Sequence, residues 1–301
     1  MRNLKNSLLI LIFISLLQLL TYHFFLRPMI STWGASPKEI SMVMAGDDNS
    51  QIITSTRAIS INAKRSDVWM WLIQLGADRG GFYSYYFIEK MLGYKTRHQN
   101  IIKPEFMTMK AGDLIRGSID ESRSIIPYNF LVLYVKPEES FVLDKWGTFL
   151  LRKVNDKQTR LIIRTQEPES SSSWSKAANY IAIPLHYIME RRTLMGIKAR
   201  VEAGEGVELS LNKDMLWFLN IVMSGFLICY LIYIGRGMFQ SVILPFIFSS
   251  YFLFSILIFN PVPLYSLVLL VGICLAIFWV HSKQASRKTH KRCTSKLLSC
   301  T

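Results

Sequence analysis

The distribution of charge along the chain is the feature that most restricts its fold. All 21 acidic residues of the 301-residue chain lie between Glu39 and Asp214. Four long apolar runs without an internal Asp, Glu, Lys or Arg flank this region, at residues 7–26, 215–234, 238–259 and 262–280. A helix of about 20 residues rises about 30 Å, which is the thickness of the hydrocarbon layer of a bilayer. The pattern therefore predicts a water-soluble domain held by membrane-spanning helices.

The basic residues outside the acidic region predict the orientation of these spans. Short basic segments stay in the cytoplasm, whereas long domains cross a membrane largely regardless of charge. If all four runs span, nine basic residues lie on one side: Arg2, Lys5, Arg236, Lys283, Arg287, Lys288, Lys291, Arg292 and Lys296. We expect a multi-pass protein of the cell membrane with both termini cytoplasmic and the soluble domain extracytoplasmic. The predicted parts are an uncleaved signal anchor at 1–26, a soluble domain at 27–205, a juxtamembrane linker at 206–214, a three-helix membrane region at 215–280 and a basic cytoplasmic tail at 281–301.

Composition excludes several classes of function. The net charge of +14 is concentrated beside the spans, because residues 27–214 contain 26 basic and 21 acidic residues, a surplus of five. Lipid headgroups explain this excess better than nucleic acid does. No Asp, Glu, Lys or Arg interrupts the spans, which argues against a coupled transporter. His290, Cys293 and Cys300 lack zinc-site spacing, and no nucleophile elbow, phosphate loop or dinucleotide motif occurs. We therefore expect no metal and no cofactor.

The soluble region has an α+β pattern. Strands are predicted at 54–61, 113–116, 129–136, 141–145, 148–154 and 159–166, and helices at 66–75, 82–92 and 174–201. Strand 129–136 is apolar on both faces and is predicted to be central. Arg164 shares a face with Arg160, which favours the outer surface. Pro184 either kinks the long helix or begins its main segment.

Several motifs resemble the START/polyketide-cyclase (SRPBCC) superfamily, and in particular membrane-tethered members of uncharacterised function. The motifs are Arg27-Pro28, Trp33-Gly34-Ala35, Gly46-Asp47-Asp48, Val68-Trp69, Trp71-Leu72, Gln74-Leu75-Gly76, Arg79-Gly80-Gly81-Phe82-Tyr83-Ser84-Tyr85, Gly112-Asp113 and Met189-Glu190-Arg191. The resemblance covers about residues 27–205. It implies a helix-grip fold, in which an antiparallel sheet wraps around a long C-terminal helix. It also implies a deep cavity that holds a lipid, a polyketide-like compound or another hydrophobic molecule.

The residues proposed to line this cavity are mainly aromatic. They are Trp69, Trp71, Gln74, Arg79, Phe82, Tyr83, Tyr85, Trp146 and His186. The alternative is that these side chains fill the core, that Arg79 is solvated at a turn, and that His186 and Glu190 form an exposed pair at i, i+4.

Three functional interpretations follow. The leading one is a hydrophobic-ligand-binding protein at the membrane. The second is a cyclase-, dehydrase- or hydrolase-type enzyme that uses Glu89, His186 or Tyr83 for proton transfer. The third is a structural or assembly protein with a solid interior.

Overall fold

The computed structural model describes residues 4–48, 50–120, 129–168, 172–235, 237–258 and isolated positions between 268 and 279. The chain divides into two compact units. One consists of Phe25–Ser210, and the other of Met1–Phe24 with Leu211–Thr301.

Within the described residues, three helices are long and apolar enough to cross a membrane. They are Leu4–Ser31, Asn212–Ile234 and Phe239–Leu257, with 28, 23 and 19 residues. The first contains α1 (Leu4–Thr21), a π-helical turn (Tyr22–Leu26) and α2 (Arg27–Ser31); the second is α7 (Asn212–Ile234); the third contains a π-helical turn (Phe239–Ile243) and α8 (Leu244–Leu257). The fourth predicted span falls mostly outside the described residues, as does the predicted tail.

A polar side chain links α1 to α8 inside this apolar unit. Gln18 Nε2 donates hydrogen bonds to Ser249 Oγ at 2.7 Å and to Ser250 Oγ at 2.8 Å. Hydroxyl and amide groups in apolar helices gain from such partners, because lipid tails offer none. Asn220 instead donates to Leu216 O within its own helix, at 2.7 Å.

The 25–210 unit contains a six-stranded antiparallel sheet, so the predicted α+β class is confirmed. The strands are β1 (Gln51–Ile61), β2 (Leu114–Arg116), β3 (Asn129–Lys136), β4 (Ser140–Leu143), β5 (Gly147–Asn155) and β6 (Gln158–Pro168). Their order across the sheet is β1-β6-β5-β4-β3-β2. β3 is therefore second from an edge and not central, and Leu131, Leu133 and Tyr134 are exposed. Its apolar character misled the prediction because only one of its faces packs against the core.

Helices cover one face of the sheet. They are α4 (Arg65–Ile73) and the 31-residue α6 (Ser173–Ala203). Two short helices, α3 (Pro37–Ser41) and α5 (Tyr86–Met91), lie elsewhere in the unit. Pro184 lies inside α6, so the helix does not begin at this proline. The core includes Leu72 from α4, Phe149 and Ile163 from the sheet, and Leu194 and Ile197 from α6. The predicted helix at 82–92 is wrong over its first turn, because Tyr83 has a positive φ of 57°.

The other face of the sheet is covered by the segment around α3. Arg164 is 1% exposed; it donates to Asp47 Oδ2 at 2.7 Å and to the carbonyl oxygens of Glu39, Ile40 and Met42 at 2.7–2.9 Å. The prediction that Arg164 lies on the outer surface was therefore wrong. Arg164 and Arg160 do share one face of the sheet, as predicted, and both contact Glu39. That face is covered by a segment that is distant in the sequence.

Candidate functional site

A buried ion pair lies between β1 and α6. Arg57 points from β1 toward the helix, and its Nη1 lies 2.8 Å from Oε1 of Glu190, with both side chains at most 1% exposed. Arg57 Nε donates to Ile30 O in α2 at 2.8 Å. The guanidinium carbon also lies 5.0 Å from the centre of the Tyr187 ring. The pair thus joins the sheet, α2 and α6.

The second carboxylate oxygen of Glu190, Oε2, contacts three further side chains. Trp146 Nε1 donates to Oε2 at 3.2 Å, and Thr165 Oγ1 donates to it at 3.4 Å. His186 Nε2 lies 3.6 Å from the same oxygen. We call Arg57, Trp146, Thr165, His186 and Glu190 the buried polar cluster, although the side chain of His186 at its edge is 40% exposed. The prediction of an exposed His186–Glu190 pair was wrong, because Glu190 lies on the inner face of α6.

Burial and charge act in opposite directions on this cluster. Burial alone would raise the pKa of Glu190, but the positive charge of Arg57, the contact with His186 and hydrogen bonds from Arg57 and Trp146 hold it below its ordinary value of 4.5. Burial lowers the pKa of His186. The negative charge of Glu190 acts to raise this pKa, and the positive charge of Arg57 lowers it further. At neutral pH Glu190 is therefore a carboxylate.

A small cavity of about 40 Å³ adjoins the buried polar cluster. Its lining consists of Thr54, Ser55, Arg57, Glu167, Ala182, Ile183 and His186. Ser55 is 4% exposed, and its Oγ has no hydrogen-bond partner. Burial also raises the pKa of Glu167. A space of this size accommodates one or two water molecules or one small polar group.

Most of the predicted cavity residues pack against one another. Trp69, Trp71, Tyr83 and Trp146 are buried in the core, and Phe82 packs against it. Trp146 is central among them: its ring centre lies 5.7 Å from that of Phe82, 5.4 Å from that of Phe130 and 5.2 Å from that of Phe149. Tyr85 is also buried, and the guanidinium carbon of Arg192 lies 5.7 Å from its ring centre.

Gln74 and Arg79, two polar residues of the predicted cavity lining, donate hydrogen bonds to backbone carbonyl groups. Gln74 donates to Ile101 O at 3.3 Å and is fully buried. Arg79 donates to the carbonyl oxygens of Ile73, Phe106 and Thr108, and its guanidinium carbon lies 5.2 Å from the centre of the Phe106 ring. Arg79 is therefore not a solvated turn residue, and its Nη2 group is occupied by backbone carbonyls.

Tyr83 holds the Gly-Gly-Phe-Tyr-Ser-Tyr segment against both neighbouring helices. Its hydroxyl donates to Trp71 O at 3.0 Å, and burial raises its pKa. A Cβ atom at Gly196 would lie 2.1 Å from Tyr83 O, so the close approach to α6 needs glycine there. Ser84 Oγ donates to Met189 O at 3.3 Å. This conspicuous motif thus has a packing role.

Glu89 and His186 have separate partners. Thr96 Oγ1 donates to Glu89 Oε2 at 2.6 Å, and burial raises the pKa of Glu89 in spite of this bond. His186 instead contacts Glu190, and its ring lies 6.4 Å from that of Trp146. The predicted proton-transfer groups therefore occur in different hydrogen-bonded clusters.

Sequence reasoning missed Arg57, Ser55 and Thr165 as members of the polar region. The available signal was an arginine in the β-branched strand segment and a Glu-Arg pair at the middle of the long helix. A charged residue on the inner face of a strand needs a buried partner, and that requirement could have linked Arg57 to Glu190.

No group of three or more potential metal ligands occurs among the described residues. Comparisons with protein-family models and with curated proteins give no match for this chain.

Proposed function

We propose that this protein is a membrane-anchored binding protein whose soluble unit has a START-like helix-grip fold and takes up a hydrophobic ligand. The order of elements carries the proposal: one strand, two helices, five strands and a long helix, with the first strand paired to the last. This order supports the fold that the sequence resemblance implies, in which an antiparallel sheet wraps around one long helix. The ligand would lie between the sheet and α6.

The inner surface is suited to an apolar molecule with one polar end. It is lined by aromatic and aliphatic side chains from α4, the sheet and α6. The buried polar cluster and the unpartnered Ser55 hydroxyl offer hydrogen bonds at one side of this interior. Because the adjoining cavity measures only about 40 Å³, a lipid-sized molecule fits at this place only if α6 moves away from the sheet.

The membrane attachment and its orientation belong to the same proposal. Three described helices have the length and apolar character of spans. The concentration of Lys and Arg beside the apolar runs favours cytoplasmic termini and an extracytoplasmic ligand-binding unit. Protease added to intact cells should then cleave within 27–205, and complete protection of that region would contradict the orientation.

Saturable photolabelling tests ligand binding. The full-length protein in lipid nanodiscs is treated with an apolar diazirine probe, and labelled peptides are identified by mass spectrometry. We expect labelling of inner-face residues of α6 and β6 that excess unlabelled probe suppresses. Labelling of the membrane helices should not saturate in this way.

Two tryptophan substitutions provide a matched comparison. Ala182→Trp places a large side chain at the small cavity, and Val154→Trp places the same side chain at an exposed position of β5. We expect only Ala182→Trp to reduce the saturable labelling. Equal labelling in both variants would contradict a ligand site beside the cavity.

The packed aromatic interior favours one second candidate, a structural or assembly protein whose surface does the binding. Its support is the mutual contact of Trp146, Phe82, Phe130 and Phe149. A folded protein without saturable inner-face labelling would favour this candidate. We do not propose an enzymatic function, because the candidate proton-transfer groups lie in separate clusters.

A further inference from the structure

The first half of α6 differs in charge and exposure from the second half. Residues 173–185 contain one charged residue, Lys176, whereas residues 186–203 contain six. Trp174 is 83% exposed and Leu185 is 62% exposed. Ala177 and Ala178 are exposed as well. About 20 Å of helix, at about 1.5 Å per residue, is therefore weakly charged and partly apolar, and it carries several exposed side chains.

A contact places this half-helix beside the first residues of the 25–210 unit. The guanidinium carbon of Arg27 lies 5.3 Å from the centre of the Tyr180 ring. Arg27 follows directly on the apolar run 7–26 in the continuous helix Leu4–Ser31. If that helix spans the membrane, Arg27 marks the border of the hydrocarbon layer, because a guanidinium stays at the level of the headgroups.

The residue types agree with such a position. Trp and Tyr are enriched at membrane–water interfaces, where the ring contacts acyl chains and its polar atom contacts headgroups. Trp174 and Tyr180 are both on this half-helix, and Lys176 between them adds attraction to anionic lipids. The half-helix has no acidic residue that would oppose this.

We propose that residues 173–185 of α6 lie in the headgroup layer of the bilayer, so that the lipid surface is the partner of this exposed segment. Pro184 stands at the junction between the lipid-facing half and the half that packs on the sheet. The small cavity is lined by Ala182 and Ile183 from this same segment. A hydrophobic ligand that leaves the bilayer would thus meet the soluble unit at the cavity.

Site-specific labelling of the full-length protein tests this inference. Cys229, Cys274, Cys293 and Cys300 are replaced by Ser, and an environment-sensitive fluorophore is attached to Ala177→Cys. The matched control is Lys136→Cys. Position 136 is on β3, near the edge of the sheet opposite to β1. Both proteins are placed in nanodiscs that hold one copy each.

The expected result is a shift of the emission at position 177 to shorter wavelength, together with strong quenching by brominated lipids. Position 136 should keep a water-exposed spectrum. A water-exposed spectrum at 177 in protein that remains in the nanodisc would overturn the inference. A shift that appears only in crowded proteoliposomes would also overturn it, since a second protein copy and not lipid would then cover the helix.

The inference rests on the membrane anchoring in the proposed function, and the two can fail separately. Protein that does not remain in nanodiscs contradicts the anchoring itself. Loss of saturable photolabelling contradicts ligand binding but leaves the position of the helix unaffected.

Discussion

Removing Arg57 should destabilise the 25–210 unit more than removing an exposed arginine does. In Arg57→Met the carboxylate of Glu190 stays fully buried without its main cationic partner. Breaking a buried ion pair from one side costs about 3–5 kcal/mol. For a unit of this size, about 2–4 °C of melting temperature is lost per kcal/mol, so the expected decrease at neutral pH is about 6–20 °C.

The same substitution should reverse the contribution of Glu190 to the pH dependence of stability. In the wild type the pKa of Glu190 is below 4.5, so its contribution to stability is present above pH 4.5 and is lost as the pH falls further. Without Arg57, burial dominates and raises the pKa of Glu190 above 4.5. Relative to the wild type, the variant should then lose additional stability as the pH rises from 4.5 through this higher pKa.

Thermal unfolding of the full-length protein in detergent, followed by tryptophan fluorescence from pH 4 to 8, measures both effects. Arg152→Met is the matched control, because Arg152 is exposed on β5, and it should change the stability by less than about 0.5 kcal/mol. The double variant Arg57→Met/Glu190→Leu should be more stable than Arg57→Met alone, because it removes the unpaired charge. If Arg57→Met behaves like the control, or its pH profile stays parallel to the wild type, the reasoning is wrong.

Three further changes test other parts of the fold. Gly81→Ala should destabilise the protein by well over about 1 kcal/mol, because its Cβ would lie 2.1 Å from a carbonyl oxygen of the neighbouring loop. Gly112→Ala, with a similar positive φ but open space, should cost about 1 kcal/mol, and equal melting temperatures for the two would contradict the argument. Because burial raises the pKa of Glu89, ionisation of this residue should lower the stability of the fold as the pH rises. Glu89→Gln should therefore make the stability fall less steeply with rising pH, and an unchanged pH profile would contradict this role of Glu89. Arg164→Lys should speed hydrogen exchange in 39–47 by at least about tenfold, because an ammonium cannot reach the same set of carbonyl oxygens, and unchanged exchange would show that other contacts hold this segment.

Local sequence patterns determined the elements of this protein. β3 begins and ends at the predicted residues, and α6 matches the predicted helix within two residues at each end. Ser36 and Glu39 form a capping box, with Ser36 N donating to Glu39 Oε2 at 2.8 Å. These features depend on periodicity, turn residues and caps that act over a few positions.

Only the tertiary structure decided which faces of these elements are covered. Arg164 is buried because a segment more than 100 residues earlier in the chain folds over it. Glu190 is buried against Arg57, which is 133 residues away in the sequence. The aromatic residues chosen as cavity lining pack together, since the sequence shows that they are apolar but not whether space remains between them. Burial is a property of distant chain segments brought together, so it cannot be read from local spacing.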